Sequence, residues 1–416
     1  MNRESLARVI LGALRWGLVA CSAAAAGHAA AGRASGGSVE TNLPALQAAG
    51  EAPVATGDAA FRPPLPAVID GRDIACRAAQ NWLPAQTLHA RARTMRQIYG
   101  QEEPGVRQAA QTLAAFLKLQ AEHQEDVGAA SALRAYYTRI AIAEQGLLLQ
   151  ESLQLLQQQE EKQQALQAGG LPAGTDLSAF QRRRIEIEEQ QLQLQAQERP
   201  LRSLLAQLAN VDYAMSDVRQ ERLEVFESSL DCPRLQQLAL VRRPDLRAWQ
   251  CLVSRLDESS VQLYAKTLST LVGGWSLPLP VLGRLKSLLC PPDQSCLLAG
   301  MRQELELTVE MHRRWITQEV QEKCAKLQLA YQRINLAQET IASWDVRLAQ
   351  LEQLFSLGNT QAEQLAAAQA AQLQARADEI SRRLDARLAE VDLAEATGGL
   401  AHRCCDGLPW LLTGYE

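Results

Sequence analysis

The stretch VQEKCAKLQLAYQRINLAQETIASWDVRLAQLEQLF, residues 320–355, decides the fold. Its apolar residues fall seven apart in one series: Val320, Leu327, Ile334, Ile341, Leu348 and Phe355. A second series occupies the intervening turns: Ala330, Ala337, Trp344 and Leu351. A strict seven-residue repeat predicts a long helix that supercoils against a partner along its whole length.

That partner follows directly in the sequence. The turn Gly358-Asn359-Thr360 leads into a second apolar stripe on helical spacing: Leu373, Ala377, Ile380, Leu384, Leu388 and Val391. Because a short glycine turn joins antiparallel neighbours, the two segments predict a helical hairpin.

An earlier pair of segments repeats the design. One helix carries Ile142, Gly146, Leu149, Leu153 and Leu156, and the next carries Ile187, Leu194, Leu201 and Leu208. The turn GGLPAGTDL, residues 169–177, separates them. Helices of roughly 35 to 40 residues would be about 55 to 60 Å long. The predicted fold class is mainly α, with two related antiparallel coiled-coil hairpins and at most a reduced β-hairpin portion.

The N-terminal residues read as an export signal. Arg3 and Arg8 precede an apolar run over residues 9–20, as in a signal peptide. The sequence Leu-Val-Ala-Cys at residues 18–21 has the pattern of a bacterial lipoprotein cleavage box, in which Cys21 would be the lipid anchor. The alternative is an ordinary signal with an incidental cysteine. Residues 21–68 are rich in Ala, Gly, Ser and Pro, which predicts a disordered tether.

Composition argues against several classes of function. The net charge is −5 and the pI about 5.7, so no basic surplus indicates a nucleic-acid partner. Five scattered histidines, with no nucleophile elbow or phosphate loop, predict no enzyme and no cofactor. The nine cysteines lack zinc-site spacing, so no metal is predicted, even for His402 beside Cys404 and Cys405. Cys290 and Cys296 are the favoured disulfide pair.

The predicted organisation has six parts. They are a signal peptide (1–20), a tether (21–68), a first helical repeat (69–212), a connector (213–237), a second helical repeat (238–400) and a C-terminal tail (401–416).

Four short segments resemble one known family in their order and spacing. They are the turn GLPAGTDLSAFQR (170–182), ALVRRPDLRAW (239–249), the turn LGNTQAEQLAAAQ (357–369) and the ending LAEATGG (393–399). Together they resemble the TolC family of outer-membrane efflux proteins, over roughly residues 70 to 400. The Arg-Pro-Asp-Leu element is similar to the one that opens the family's second repeat.

The resemblance implies a location, partners and a site. Most of the chain would lie in the periplasm, as part of a homotrimeric tunnel in the cell outer membrane. The hairpin tips would dock on a periplasmic adaptor protein of an inner-membrane pump. The residues that the resemblance assigns to these tips are Gly170, Leu171, Thr175, Asp176, Gly358, Asn359 and Thr360.

The chain departs from the family where membrane strands are expected. Residues 85–128 follow a helical rhythm, and Pro278 and Pro280 interrupt a strand-like run near residue 275. Two functions therefore compete at this point. One is a passive outer-membrane efflux or secretion duct, as a divergent member with weak or missing membrane strands. The other is a lipid-anchored periplasmic coiled-coil scaffold of TolC-like ancestry that forms no channel.

Overall fold

Helices make up the part of the chain that the computed structural model describes. The described residues are 70–168, 177–209, 223–225, 230–258, 260–261, 264, 294–357 and 362–401. Within these ranges there are eight helices and no strand. The helices are α1 (Gly71–Asn81), α2 (Leu83–Tyr99), α3 (Pro104–Ala168), α4 (Leu177–Ala209), α5 (Cys232–Arg242), α6 (Pro244–Ser254), α7 (Gln294–Ser356) and α8 (Ala362–Thr397). The predicted class, two long helical hairpins, is confirmed as α3–α4 and α7–α8.

Two of the helices are longer than the sequence predicts. Helices α3 and α7 have 65 and 63 residues, whereas their partners α4 and α8 have 33 and 36. The buried seam of α7 continues N-terminally from Val320 through Ile316, Val309, Leu305 and Met301. Thr308 interrupts its apolar pattern, but the Thr308 hydroxyl donates to the Glu304 carbonyl at 2.8 Å. The buried Thr308 hydroxyl is therefore paired within the helix and leaves no unsatisfied polar group in the seam at that position.

The hairpins lie side by side in one layer. Helix α3 packs against both α4 and α8, and α8 packs against α7, so the order across the layer is α4, α3, α8, α7. The short helices cover parts of the layer. Helices α1 and α2 pack on α3, α5 packs on α7 and α8, and α6 packs between α3 and α7.

The predicted heptad seam of α7 forms much of the core. Val320, Leu327, Ala330 and Ile334 are buried in one large cluster, whereas Leu348 and Leu351 belong to a small separate cluster near the end of the hairpin. Phe355, predicted as the last seam residue, is 47% exposed, so that assignment is wrong. It lies one residue before the helix ends at Ser356, beyond the last side chains of that small cluster.

The Arg-Pro-Asp-Leu element, residues 243–246, links the start of the second repeat to α7 and to the end of α8. Arg243 is 2% exposed, and its guanidinium donates to Asp245 at 2.7 and 3.0 Å. It also forms an ion pair with Glu319 of α7 and donates to the Ala396 carbonyl at 3.4 Å. Burial disfavours a charged Asp245, but the Arg243 guanidinium outweighs burial and holds the pKa of Asp245 below its usual range.

The terminal Gly-Gly sequence fits tightly beside Arg243. Gly398 has φ +77°, and a Cβ there would lie 3.0 Å from the Arg243 Cα. The buried Asp126 carboxylate of α3 then accepts from the backbone N–H groups of Gly399, at 2.9 Å, and Ala401, at 2.8 Å. The motif that carried the family resemblance therefore ends α8 and binds it to the first hairpin.

Four cysteines have described side chains, and the sequence assigned a partner to none of them. Cys232 and Cys324 form a disulfide that spans 92 residues, Cys76 is also disulfide-bonded, and Cys251 is free. The predicted pair Cys290–Cys296 lies outside the residues whose side chains the structure describes. The same holds for Cys21, the signal peptide and the tether.

Two further features of the helices are a proline inside α4 and the polarity of all the described helices. Helix α4 continues through Pro200, whose missing N–H is tolerated because the residue is exposed to water. None of the described helices is both long enough and apolar enough to serve as a membrane span.

A pair of glycine variants tests the close contact at Arg243. Gly398→Ala should lower the free energy of unfolding by about 2 kcal/mol, because the new Cβ meets Arg243 and φ is positive. Gly146→Ala is the matched control, since a Cβ at Gly146 meets nothing within 4 Å in the middle of α3. It should raise the stability by about 0.5 to 1 kcal/mol. Denaturant unfolding followed by circular dichroism checks both values, and equal midpoints for the two variants would contradict the packing described.

Candidate functional site

The residues that the resemblance assigned to the tips lie outside the described part of the chain. They are Gly170, Leu171, Thr175, Asp176, Gly358, Asn359 and Thr360. The structure instead describes the four helix ends that lead to the two turns. These are the C-terminal turns of α3 and α7 and the N-terminal turns of α4 and α8.

Polar side chains join the two hairpins along the contact of α3 with α8. Three pairs form this contact, which we call the inter-hairpin pairs: Gln145–Ser381 at 3.2 Å, Glu151–Arg376 at 3.5 Å and Gln159–Gln369 at 2.6 Å. Residue numbers rise along α3 as they fall along α8, so the helices are antiparallel. Gln159 and Gln369 each lie about two turns from the end of their helix, which brings both turns to the same end of the layer.

A groove of about 340 Å³ lies beside these pairs. Helices α3 and α7 form its walls and α8 its floor. Its lining residues are Glu151, Leu155, Asp345, Leu348, Ala349, Glu352, Gln369, Gln372, Leu373 and Arg376. Three carboxylates therefore face one guanidinium over an apolar base. The Gln372 amide donates to Asp345, which also links α8 to α7.

The end of the second hairpin is packed more lightly than the rest. Leu348, Leu351 and Ala368 form its buried cluster, with Trp344 and Leu365 packed against them. Every residue of α7 between Ile334 and Leu348 is at least partly exposed. Because few apolar side chains are buried there, we expect the local stability of this end to be lower than that of the core.

A charged cluster fixes the opposite end of the contact. The Asp392 carboxylate of α8 binds Arg134 of α3 at 2.8 Å and Lys323 and Lys326 of α7 at 3.4 and 3.1 Å. Arg134 also forms an ion pair with Glu395. Burial raises the pKa of Asp392, but the charges of Arg134 and the two lysines outweigh it and keep that pKa below its usual range. Three of the four layer helices thus meet at one ionised carboxylate.

Both edges of the layer expose apolar side chains. Along α7 these are Leu307, Met311, Trp315, Leu329, Leu336 and Val346. Leu329 and Leu336 each follow a buried seam residue by two positions, about 200° around the helix. On the other side of the layer, α2 exposes Leu83 and Ile98, and α4 exposes Ile185 and Leu192. Leu329–Leu336 and Ile185–Leu192 share the seven-residue spacing of a coiled-coil seam.

Sequence reasoning had missed the inter-hairpin pairs. Glutamines on otherwise apolar helix faces were the available signal, but their partners lie more than 200 residues away.

Known proteins resemble this chain in structure but not in sequence. No protein-family model matches the chain, and no curated protein is similar to it in sequence. Solved structures do match. The outer-membrane channel OprN superposes with a TM-score of 0.61 at 13% identity, over 79% of this chain and 90% of that one.

Two further channels match in the same way. The open-state MtrE outer-membrane channel of Neisseria gonorrhoeae gives a TM-score of 0.58 at 15% identity, over 80% of this chain and 89% of its own. The CmeC outer-membrane channel of Campylobacter jejuni gives 0.57 at 12% identity, over 86% and 94%. The resemblance predicted from the sequence is thereby confirmed in structure: this chain has the fold of the TolC-family outer-membrane channels.

Proposed function

We propose that this protein is a passive duct in the outer membrane, the exit component of a tripartite efflux or secretion system for small molecules. The observation that carries the proposal is the two-hairpin layer, which superposes on three outer-membrane channels over about four-fifths of the chain. These neighbours are channels rather than enzymes. The duct needs no cofactor, because energy is supplied by an inner-membrane pump and transport is passive.

The exposed edges support assembly into a ring. The layer ends at α7 on one side and at α4 on the other, so a single chain leaves the apolar side chains of both edges exposed. Packing the α7 edge of one protomer on the opposite edge of the next is a head-to-tail contact, which closes into a ring when the rotation fits. We infer three protomers from the family resemblance, with Cys21 as a lipid anchor at the outer membrane.

The hairpin ends are the proposed docking site for the adaptor. The tips Gly170, Leu171, Thr175, Asp176, Gly358, Asn359 and Thr360 would make the first contact. The adjoining groove extends that surface along α8. Because Glu151, Asp345 and Glu352 outnumber Arg376 there, a partner helix with Lys or Arg beside small apolar residues would complement it.

Opening of the duct would separate the two hairpins at their ends. The inter-hairpin pairs Gln159–Gln369 and Glu151–Arg376 must break for that shift, whereas the Asp392 cluster at the other end stays in place. Each of these partly or fully exposed pairs contributes on the order of 1 kcal/mol, so adaptor contacts of ordinary strength can shift the equilibrium.

Planar-bilayer conductance of the detergent-extracted protein, with the oligomer mass measured alongside, tests the duct directly. Discrete conductance steps from a trimer are the expected result. A monomer that gives no conductance would overturn the duct. It would support instead a lipid-anchored periplasmic coiled-coil scaffold.

An edge variant tests the ring. Leu336→Glu places a carboxylate in the α7 edge, where burying an unpaired charge is unfavourable, so the protein should shift from oligomer to monomer. Leu147→Glu is the matched control. Leu147 is 56% exposed but lies on α3, in the middle of the layer. Mass photometry of the two variants gives the readout, and equal oligomer populations would argue against this edge as the interface.

A glutamine pair tests the opening mechanism. Gln159→Leu removes the hydrogen bond to Gln369 and should raise the open fraction in bilayer recordings by roughly two- to tenfold, since about 0.5 to 1.4 kcal/mol is lost. Gln157→Leu is the control, because Gln157 is exposed and bonds only within α3, to Glu161. If both variants open as often as the unmodified protein, the inter-hairpin pairs do not hold the closed state.

A further inference from the structure

The described segments that connect the two hairpins in sequence make contacts with both of them. We call residues 223–225 and 230–243 the belt. At its first piece, the Leu223 N–H donates to the Glu144 carboxylate of α3 at 2.7 Å, and the Leu223 side chain is 1% exposed within the core. This end of the belt therefore belongs to the first hairpin.

A partly exposed arginine attaches the same piece to the second hairpin. Arg387 of α8 donates to the Glu224 carbonyl. Glu390 binds Arg387 at 2.6 Å and accepts from the Tyr331 hydroxyl of α7 at 2.9 Å. Because these contacts stay within the protein, they hold the belt on α8 whatever the redox state around it.

The second piece is fastened to α7 by a covalent bond. Cys232 begins α5 and is joined to Cys324, which is 1% exposed and lies in the buried seam between Val320 and Leu327. At the other end of α5, the Arg243–Glu319 ion pair makes a second attachment to α7. Helix α5 is thus held on α7 at both ends, and a reductant can break the attachment at its N-terminal end.

We propose that the Cys232–Cys324 disulfide is a redox-sensitive lock. While it is oxidised, it holds α5 against α7 and keeps the exposed apolar edge of α7 in the orientation that assembly requires. Cys324 lies on the same rigid helix as the edge residues Trp315 and Leu329. The disulfide therefore adds a covalent restraint on the rotation of α7 about its own axis, and so on the direction in which that edge points. The assembly part of this inference rests on the proposed ring.

The opening reaction is a thiol–disulfide exchange with a dithiol. One dithiol sulfur, as thiolate, attacks Cys232 Sγ, the partly exposed sulfur, and Cys324 leaves as a thiolate that takes up a proton. The second dithiol sulfur then displaces Cys232, which is also protonated. Two electrons pass from the dithiol, which becomes a cyclic disulfide, and the protein gains two thiols. Disulfides persist in oxidising compartments, so the lock closes after export.

Hydrogen–deuterium exchange of the full-length purified protein tests the lock itself. In Cys232→Ser, and in the unmodified protein with dithiothreitol, amide exchange in the first turns of α5 should rise at least about tenfold. Exchange at α6, beyond the Arg243 attachment, should change little. Cys251→Ser is the matched control, because Cys251 is the free thiol and its loss leaves the lock intact. Unchanged exchange in both reduced and Cys232→Ser protein would overturn the inference.

Oligomer mass separates this inference from the proposed ring. If the oxidised protein is a ring and Cys232→Ser shifts toward monomer, the result supports both the ring and the role of the lock in assembly. A ring that forms equally well in Cys232→Ser would overturn the role of the lock in assembly and leave the duct untouched. An oxidised protein that stays monomeric would overturn the ring, whereas the exchange experiment would still decide the lock.

Discussion

A buried seam on a helix of more than sixty residues requires a partner along its length, and the rest of the structure follows from that requirement. Helix α7 satisfies it with α8 over the distal half and with α5 and α6 over the proximal half. The same logic makes α3 the central rod of the layer, with α1, α2 and α4 on it. Each of these long helices is about 95 Å long. Because the layer buries little apolar surface for its length, polar contacts determine which of its regions are held rigidly.

Ion pairs and a close glycine contact hold the helices together near the start of α6, whereas fewer contacts hold them near the turns. Near the start of α6, Arg243 binds Asp245, Glu319 and the end of α8, and Gly398 allows that approach. Asp392 gathers three helices at a nearby level of α8. Toward the turns, the end of the second hairpin has a small buried cluster of Leu348, Leu351 and Ala368, and the inter-hairpin pairs join α3 to α8. Firm contacts near the start of α6 and weaker contacts toward the turns agree with the opening movement proposed above.

The exposed edges are the structural basis of the proposed ring. Leu329 and Leu336 have the spacing of a seam but face away from the partner helix, and the opposite edge offers Ile185 and Leu192 on the same spacing. Exposed apolar rows on both sides of a layer indicate a neighbour on each side. The disulfide at Cys324 lies on the edge helix itself, so the proposed redox lock acts on the same helix as the proposed assembly surface.

The sequence alone determined the helical class, the two hairpins and most of the buried seam from Val320 to Leu351, because seven-residue periodicity is a local property of one helix. It also contained the Arg-Pro-Asp-Leu and Gly-Gly elements that carried the resemblance. It overextended the seam to Phe355, since periodicity does not say where a partner ends. Only the tertiary structure decided that Cys232 pairs with Cys324, that Gln159 meets Gln369, and that Arg243 reaches Ala396. Those contacts join residues 92 to 210 positions apart, and their register is set by how whole helices pack rather than by any spacing within one of them.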